Sequence, residues 1–486
     1  MPTAILERDD IQALVRSGFG KLEGSRLLLV RIRPGREAQA CEWLGRAEVL
    51  SVADFDEARL AKRRINRILQ IAVTAPGLAA LGVPEEAMAA FPADFLAGIA
   101  SDERRSHRLG DVGENSPSRW KWGRKGAEPH LLLMLYADCA DIEAFAAATV
   151  AGLGQSCELL QPQLDCGEPG VEPFGFADGI SQPRIDWDGK RTPGGTADQV
   201  YTNHVSAGEV LLGYMDEYNL VGDRPTISAG LPGAEGLPPS IDEPERRDLG
   251  RNGSYLVLRS LRQDVEGFWA WTEREAGPEG SLELAEAVIG RRKDGRPLEG
   301  LGTAEISGLD DAEDNFTYDR DPEGHICPYG GHIRRANPRT GDIPGGGRGL
   351  LHYLLVTLGL WGTVREDVIA PSRYHRLLRR GRPYGGSGGD KGLHFIALNS
   401  NLTRHFEFIQ NAWLMNPSFA GLANEADPLT GCREPFQPGL ATDNFTRPRA
   451  EGPCTRYSGL PRFVTVEGGG YFFLPGLRAL RYIARA

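Results

Sequence analysis

Apolar runs of strand length alternate with amphipathic stretches over the first 160 residues. The runs Ser25–Ile32 (SRLLLVRI), Ile68–Val73 and His130–Tyr136 (HLLLMLY) predict buried strands. The stretches Glu37–Val49 and Asp141–Gly152 predict helices. The order strand, helix, strand, strand, helix favours an α+β sandwich with an antiparallel sheet over a parallel nucleotide-binding sheet.

A similar mixture of patterns returns in the second part of the chain. Glu209–Tyr214, Gly253–Leu258 and Gly392–Leu398 are strand-like, and Arg404–Met415 is helix-like. Leu350–Leu358 is apolar enough to be a helix or a strand. We therefore expect two α+β halves.

The stretch with the strongest linker composition is Asp186–Asp198 (DWDGKRTPGGTAD). It predicts an N-terminal domain over residues 1–195 and a C-terminal domain with insertions over residues 196–486. Two polar stretches, Arg224–Asn252 and Gly277–Asp321, have the composition of insertions. Such segments either shape a substrate entrance or form ordinary surface loops.

Charge and cysteine content indicate which partners and which cellular compartment to expect. The formal net charge is -11, which disfavours nucleic acid and anionic membranes as partners. Seven irregularly spaced cysteines without a CxxC pair predict reduced thiols. The chain shows neither a signal-peptide pattern at its N-terminus nor an apolar run of about 18 residues. We therefore expect a cytoplasmic protein.

The segment Phe174–Pro183 (FGFADGISQP) is the first of three that combine Gly or Pro punctuation with a reactive side chain. Gly175 and Gly179 flank Asp178 and allow a close approach of the backbone to a flat ligand. Asp178 lies between apolar residues, and a partly desolvated carboxylate suits proton transfer. An ordinary Asp–Gly turn would show the same pattern.

The second segment is Cys327–Arg339 (CPYGGHIRRANPR). His332 follows a Gly–Gly pair, and imidazole is the usual proximal ligand of haem iron in peroxidases. Arg334, Arg335 and Arg339 are candidates for pairing with the haem propionates. A basic surface turn with a hydrogen-bonded histidine is the alternative.

The third segment is Leu377–Gly389 (LLRRGRPYGGSGG). A fixed guanidinium from Arg379 or Arg380 would stabilise negative charge on a peroxide oxygen, although a basic surface loop also fits. The remaining histidines form no HxH or HExxH pair, and His394 has the surroundings of a core residue. The chain contains no phosphate-binding loop and no GxSxG nucleophile motif.

Taken in this order, the three segments resemble the dye-decolorizing peroxidase family. The family's GxxDG motif is matched by Gly175–Gly179, and its proximal histidine before Asn-Pro-Arg by His332 and Asn337–Arg339. Its distal arginine before a Pro-aromatic-Gly turn is matched by Arg379 and Pro383–Gly385. The stretches GEVLLGYMDEYN, LGRNGSYLVLRSLRQDVEGFW and GLHFIALNSNLTRHFEFIQNAW are similar to the longer members, so the resemblance spans nearly the whole chain.

The resemblance implies two ferredoxin-like domains with antiparallel sheets flanked by helices, and haem b bound mainly by the second. It implies a peroxidase that uses hydrogen peroxide to oxidise dyes, phenolic or other aromatic reductants in one-electron steps. The alternative is a non-enzymatic haem sensor or carrier, or a haem-dechelating protein, on the same fold. A carrier would keep His332 but would not need Asp178 and Arg379 together.

The resemblance also assigns roles to individual residues. Asp178 and Arg379 would act on the peroxide, and His332 would bind the iron. The residues expected to contact the cofactor are His332, Gly175, Gly179, Arg334, Asn337, Leu393 and Phe395.

Two further residues are candidates for supporting roles. Glu407 is the candidate carboxylate that accepts the ring N–H of His332. Tyr384 is the candidate that relays electrons to the surface, unless it only packs on Pro383 in a turn.

Overall fold

Ten strands form one antiparallel sheet in the part of the chain that the computed structural model describes. The described residues are 5–162, 164–194, 201–301, 316–340, 371–385, 389–434 and 441–485. Their strands, in chain order, are β1 Gly24–Ile32, β2 Arg67–Val73, β3 Leu131–Ala137, β4 Cys157–Leu159, β5 Leu164–Cys166, β6 Arg184–Ile185, β7 His204–Val205, β8 Thr226–Ser228, β9 Arg246–Asp248, β10 Ser254–Gln263, β11 Leu378–Arg379, β12 Arg382–Tyr384, β13 Gly392–Asn399, β14 Phe445–Arg447, β15 Thr455–Tyr457 and β16 Val464–Leu474.

The large sheet has an N-terminal and a C-terminal half. Its order is β11-β13-β10-β16-β2-β3-β1-β4, with β12 paired to β13 and β5 to β1. The halves meet between β16 and β2, where Phe473 opposite Val73 is the register pair. Three two-stranded pairs, β6 with β7, β8 with β9 and β14 with β15, lie outside this sheet.

Strands β1 and β3 are buried on both faces, which explains their continuous apolar sequences. Leu28 and Val30 of β1 pack into one core cluster, and the alternating Leu27 and Leu29 pack into another. All seven residues of β3 are buried. The sheet therefore lies between two layers of apolar side chains, as the period of two along a strand requires.

Helices cover the sheet, and several begin at a side chain that accepts a hydrogen bond from the first turn. Ser51, Thr74, Asp102 and Asp264 cap helices in this way. The helices are α1 Glu37–Arg46, α2 Val52–Leu60, α3 Ala75–Ala80, α4 Glu85–Ala89, α5 Ala93–Ala97, α6 Glu103–Leu109, α7 Ile142–Leu153, α8 Val265–Ile289, α9 His332–Ala336 and α10 Leu477–Ile483. Two π-helical segments, Thr403–Glu407 and Ile409–Leu414, account for the helix-like pattern predicted there.

These elements confirm the predicted α+β class with antiparallel strands and flanking helices. Two predictions were wrong. Glu209–Tyr214 forms turns instead of a strand, with Gly213 at a φ of 83°. The predicted insertion that begins at Gly277 is helical as far as Ile289. The chain kinks at Gly277, and Pro278 then occupies the first turn of a new helix, a position that proline tolerates.

Two other predictions fall on undescribed parts of the chain. Leu350–Leu358 lies outside the described residues, as does the stretch 195–200 at the predicted domain boundary. The division into residues 1–195 and 196–486 therefore stays a prediction. No helix within the described ranges has the length and apolarity that a bilayer crossing needs.

Candidate functional site

A cavity of about 280 Å³ lies against one face of the C-terminal half of the sheet. Alternate residues of β13, Leu393 and Phe395, line it, and both are among the residues that the resemblance implies contact the cofactor. His394 between them is buried elsewhere, 3.1 Å from the Ser260 hydroxyl, and burial lowers the pKa of its imidazole to about 4. The cavity wall also contains His332, Asp178, Arg379 and Asn337, so three segments far apart in sequence meet here.

His332 begins α9, and a buried carboxylate supports its ring. Nδ1 of His332 lies 2.9 Å and 3.1 Å from the two carboxylate oxygens of Asp427, whose side chain has no solvent exposure. Burial would raise the pKa of Asp427, but His332 and Arg335 together lower it to about 2. Asp427 is therefore an ionised acceptor for Nδ1–H. Nε2 has no hydrogen bond to the described residues, which leaves it available to a metal.

The expectation that Glu407 supports His332 was wrong. Glu407 accepts a hydrogen bond from the Tyr471 hydroxyl at 2.9 Å and forms ion pairs with Arg105 and Arg108. Asp427 was missed because it follows His332 by 95 residues and carries no motif of its own. Its only local signal is the Asp-Pro turn ADPLTG, in which the backbone N–H of Thr430 donates to Asp427.

Asp178 stands in a tight loop that its two flanking glycines shape. Gly175 and Gly179 adopt φ values of 95° and 80°, which other residues rarely adopt. The backbone N–H of Gly179 donates to Oδ1 of half-buried Asp178 at 2.6 Å, while Oδ2 accepts no hydrogen bond from the described residues. The glycines are not among the described residues that line the cavity, and their predicted contact with the cofactor stays a prediction.

Adjacent arginines on β11 and just after it point to different parts of the molecule. Arg379 lines the cavity, and its guanidinium donates to the carbonyl of Ile180, two residues after Asp178, at 2.8 Å. Arg380 instead donates to the carbonyls of Leu14 and Val15 near the N-terminus. The structure thus brings Arg379 and not Arg380 to the GxxDG loop.

The basic run after His332 divides in the same way. Arg334 pairs with Asp321 at 2.9 Å and lies between the rings of Tyr318 and Tyr329, away from the cavity. Its predicted contact with the cofactor is therefore corrected. Arg335 donates to backbone carbonyls, among them that of Trp413 at 2.7 Å, and also lies outside the cavity lining.

A group of buried cations forms one part of the cavity wall. Arg339 and Arg376 line the cavity beside Asn337. Arg376 is 5 % exposed and donates to the neutral oxygens of Tyr201 and Asn203 at 2.9 and 2.8 Å. Burial lowers the pKa of Arg376, and the neighbouring Arg339 adds to this effect. A buried cation such as Arg376, whose acceptors among the described residues are neutral, suits an anionic ligand.

The cavity wall holds a second imidazole, that of His375. Its Nδ1 lies 2.6 Å from the carbonyl of Arg404, and its ring stacks on Phe408 with the centroids 3.6 Å apart. Burial lowers the pKa of His375 to about 4, so this ring is neutral over most of the pH range. Among the described residues, His375 has no buried carboxylate partner like that of His332, which makes His332 the better iron ligand.

The combined surroundings fit haem b. An imidazole backed by a carboxylate suits the iron, the buried arginines suit the propionates, and much of the remaining wall is apolar. The apolar lining residues include Phe174, Phe176, Ile180, Ile289, Ile333, Leu377, Leu393, Phe395, Leu414, Leu429, Val464 and Val466.

Known proteins are similar to this chain in sequence over most of its length. No family model matches the chain. The multifunctional dye peroxidase DyP2 of Amycolatopsis sp. is 27 % identical over 88 % of this chain and 84 % of its own length. The dye-decolorizing peroxidase AauDyP1 of Auricularia auricula-judae is 26 % identical over 85 % of this chain and 74 % of its own.

Solved structures agree in fold. A decolorizing peroxidase from Auricularia auricula-judae superposes with a TM-score of 0.72 at 23 % identity, over 99 % of this chain and all of its own. A DyP-type peroxidase of Anabaena sp. gives a TM-score of 0.71 at 21 % identity, over 98 % of this chain and 94 % of its own. The chain is thus similar to dye-decolorizing peroxidases in sequence over most of its length, and it has the same fold as the solved members.

Proposed function

We propose that the chain is a haem-dependent peroxidase that uses hydrogen peroxide to oxidise dyes, phenols and other aromatic reductants in one-electron steps. The observation that carries the proposal is one cavity in which carboxylate-backed His332 meets both Asp178 and Arg379. A carrier needs only the first of these groups. A solved dye-decolorizing peroxidase of the same fold is in complex with 2,6-dimethoxyphenol, which supports phenols as the reductant class.

The residues that would hold haem b follow from the cavity wall. His332 Nε2 would bind the iron. The haem propionates would be bound by Arg339, Arg376 and Asn337. When bound, haem supplies the redox centre that takes electrons from the reductant and passes them to peroxide. Leu393 and Phe395 keep water away from the reacting oxygens.

Asp178 and Arg379 would divide the work on hydrogen peroxide. The free Oδ2 of Asp178 takes a proton from one peroxide oxygen and returns it to the other, so that water can leave. The Arg379 guanidinium, oriented by the Ile180 carbonyl, stabilises the negative charge that develops as the oxygen–oxygen bond breaks.

Bulky dyes that cannot enter the cavity require a route for electrons, and we propose Tyr384 as part of it. Its ring is half-buried on β12 and stacks on His394 with the centroids 4.4 Å apart. The neighbours of His394 on β13 line the cavity. The sensitive comparison is Tyr384→Phe with bulky and small substrates, since a relay role predicts a selective loss with the bulky one.

Iron ligation is tested by comparing His332→Ala with His375→Ala. We expect His332→Ala to lose haem or to shift its Soret absorption band, because no other imidazole in the described lining has a carboxylate partner. His375→Ala should keep the wild-type band. The opposite pattern would move the ligand to His375, and release of iron-free porphyrin in place of dye oxidation would support dechelation.

The peroxide-handling roles are tested by comparing Arg379→Leu with Arg380→Leu. Loss of one preorganised donor in a dry site costs about 10²–10³ in rate. We expect that loss in the peroxide-driven absorbance change for Arg379→Leu and Asp178→Asn. Arg380→Leu, which changes contacts with Leu14 and Val15, should keep the rate, and an equal loss there would contradict the assignment.

We further propose that the protein works in a reducing compartment such as the cytoplasm. All seven cysteines are free thiols, and thiols persist where disulfides are reduced. Fractionation of cells with an antibody to the protein tests this.

A further inference from the structure

A second pair of charged residues lines the same cavity and takes no part in the chemistry described above. Asp111 follows the Gly110 residue that ends α6, and Arg259 lies on β10. The two side chains form an ion pair and are only 1 % and 4 % exposed. Neither makes a hydrogen bond to Asp178, Arg379 or His332 in the described residues.

Each member of this pair has a polar atom that the described part of the protein leaves unused. Oδ2 of Asp111 and Nε of Arg259 are both buried without a hydrogen-bond partner there. Burial raises the pKa of Asp111 to about 6, and Arg259 offsets this only in part. Unsatisfied buried polar atoms are rare in folded proteins and call for an explanation.

The buried ion pair of Arg224 and Asp248, outside the cavity lining, is one whose carboxylate is fully satisfied. Arg224 donates to Asp248 Oδ2 at 2.6 Å, and the Arg251 backbone N–H donates to Asp248 Oδ1 at 2.8 Å. The guanidinium of Arg224 also bonds to Asp242 and Ser240. Asp248 is thus satisfied on both oxygens, whereas Asp111 keeps one oxygen unused beside a cavity.

The surroundings of the unused atoms are aromatic. Phe395 and Phe406 line the cavity beside the pair, with their centroids 6.4 Å apart. The guanidinium of Arg259 lies 6.0 Å from the Phe406 ring centroid and 5.9 Å from that of Trp120. An aromatic ring packs well against such a wall. A hydroxyl on that ring would donate to Asp111 Oδ2, and an adjacent oxygen would accept from Arg259 Nε.

We propose that Asp111 and Arg259 form a binding site for a small hydroxylated aromatic reductant, a phenol with an oxygen substituent beside its hydroxyl. The proposal deepens the proposed function and rests on it for the later electron transfer. Binding itself requires no peroxide. The site is separate from the Asp178–Arg379 pair, so a reductant and a peroxide do not compete for the same side chains.

The test measures binding of two probes to the resting haem-loaded protein by calorimetry. Guaiacol has the hydroxyl donor, and veratrole is the same ring with that hydroxyl methylated. The main variant is the double substitution Asp111→Leu with Arg259→Met, because a buried ion pair replaced by apolar residues of similar volume often keeps the fold. Asp111→Asn is the second variant, and Asp248→Asn is the control outside the cavity lining.

We expect wild type and Asp248→Asn to bind guaiacol at least about tenfold more tightly than veratrole, as one charge-assisted hydrogen bond provides. The double variant should bind the two probes equally, and Asp111→Asn should weaken guaiacol binding. The proposed site would be overturned by a double variant that binds haem and oxidises dye but keeps the guaiacol affinity of wild type. A wild-type protein that binds no haem or ignores peroxide would instead overturn the proposed function.

Discussion

At the scale of single residues, the motifs located three polar side chains that meet at the cavity but not the groups that support them. Asp178, His332 and Arg379 were predictable because glycines or a proline bracket each of them in a short pattern. Arg376 reaches the cavity, and Asp427 reaches His332, only through tertiary structure, which the sequence around them does not reveal. A supporting group needs only the right position and charge. Because many local sequences can provide these, no motif marks such a group.

The supporting role of Asp427 leads to a prediction about the bound haem. Replacing Asp427 with Asn removes the negative charge beside His332, so the imidazole becomes a weaker donor to iron. We expect the iron midpoint potential to rise and haem affinity to fall about 10–100-fold. Redox titration and haem transfer measure the two quantities. Glu407→Gln, at the carboxylate first expected in this role, is the matched control, and a comparable shift there would contradict the assignment to Asp427.

At the scale of elements, the sequence predicted the strands of the sheet well and the irregular segments poorly. Strands β1, β3 and β13 have apolar or alternating runs, and such runs indicate a strand more clearly than another local structure. Glu209–Tyr214 has a similar composition, but its first residue is a buried carboxylate that bonds to Arg404 and His405. Those partners lie nearly 200 residues away, so local pattern gave no sign of the turns that place Glu209.

A buried carboxylate also joins the N-terminal segment to α10, and it predicts a pH effect on stability. Asp10 accepts hydrogen bonds from the Arg478 backbone N–H and the Asn252 amide, and burial raises its pKa from 3.8 to about 6. Between these values the folded state holds a proton that the unfolded state has lost. The stability from this group is therefore fully present below about pH 4 and is lost as the pH rises through 6.

Asp10→Asn removes this titration and keeps the shape of the side chain. Relative to wild type, the variant should gain up to about 3 kcal/mol of unfolding free energy between pH 4 and pH 7, at 1.36 kcal/mol per pKa unit. Urea unfolding at several pH values measures the difference. Glu279→Gln, at an exposed residue on α8, serves as the control. A difference between Asp10→Asn and wild type that is constant with pH would show that Asp10 does not titrate in this range.

At the scale of the whole molecule, the two halves of the sheet are joined mainly through side chains. Their strands share the pair Phe473 and Val73, yet one core cluster runs through both halves. The cavity is likewise lined from both, with Asp111 and Asp178 from the first part of the chain and His332 and Arg379 from the second. Folding of the two parts and haem binding should therefore be coupled.

Phe473→Ala tests this coupling at the point where the halves meet. The Phe473 side chain is fully buried, and its ring centroid lies 5.2 Å from that of Phe91 in the N-terminal half and 6.2 Å from that of Tyr255 in the C-terminal half. Truncation of a buried phenylalanine costs roughly 3–5 kcal/mol because it leaves a cavity. Thermal unfolding is followed by tryptophan fluorescence and by the Soret band. Since both halves lose contacts, the two midpoint temperatures should fall together. Leu282→Ala, at a side chain 45 % exposed on α8, should leave both transitions unchanged. If Phe473→Ala instead separated the two transitions, the halves would unfold independently, and the shared core would not be what holds the haem cavity together.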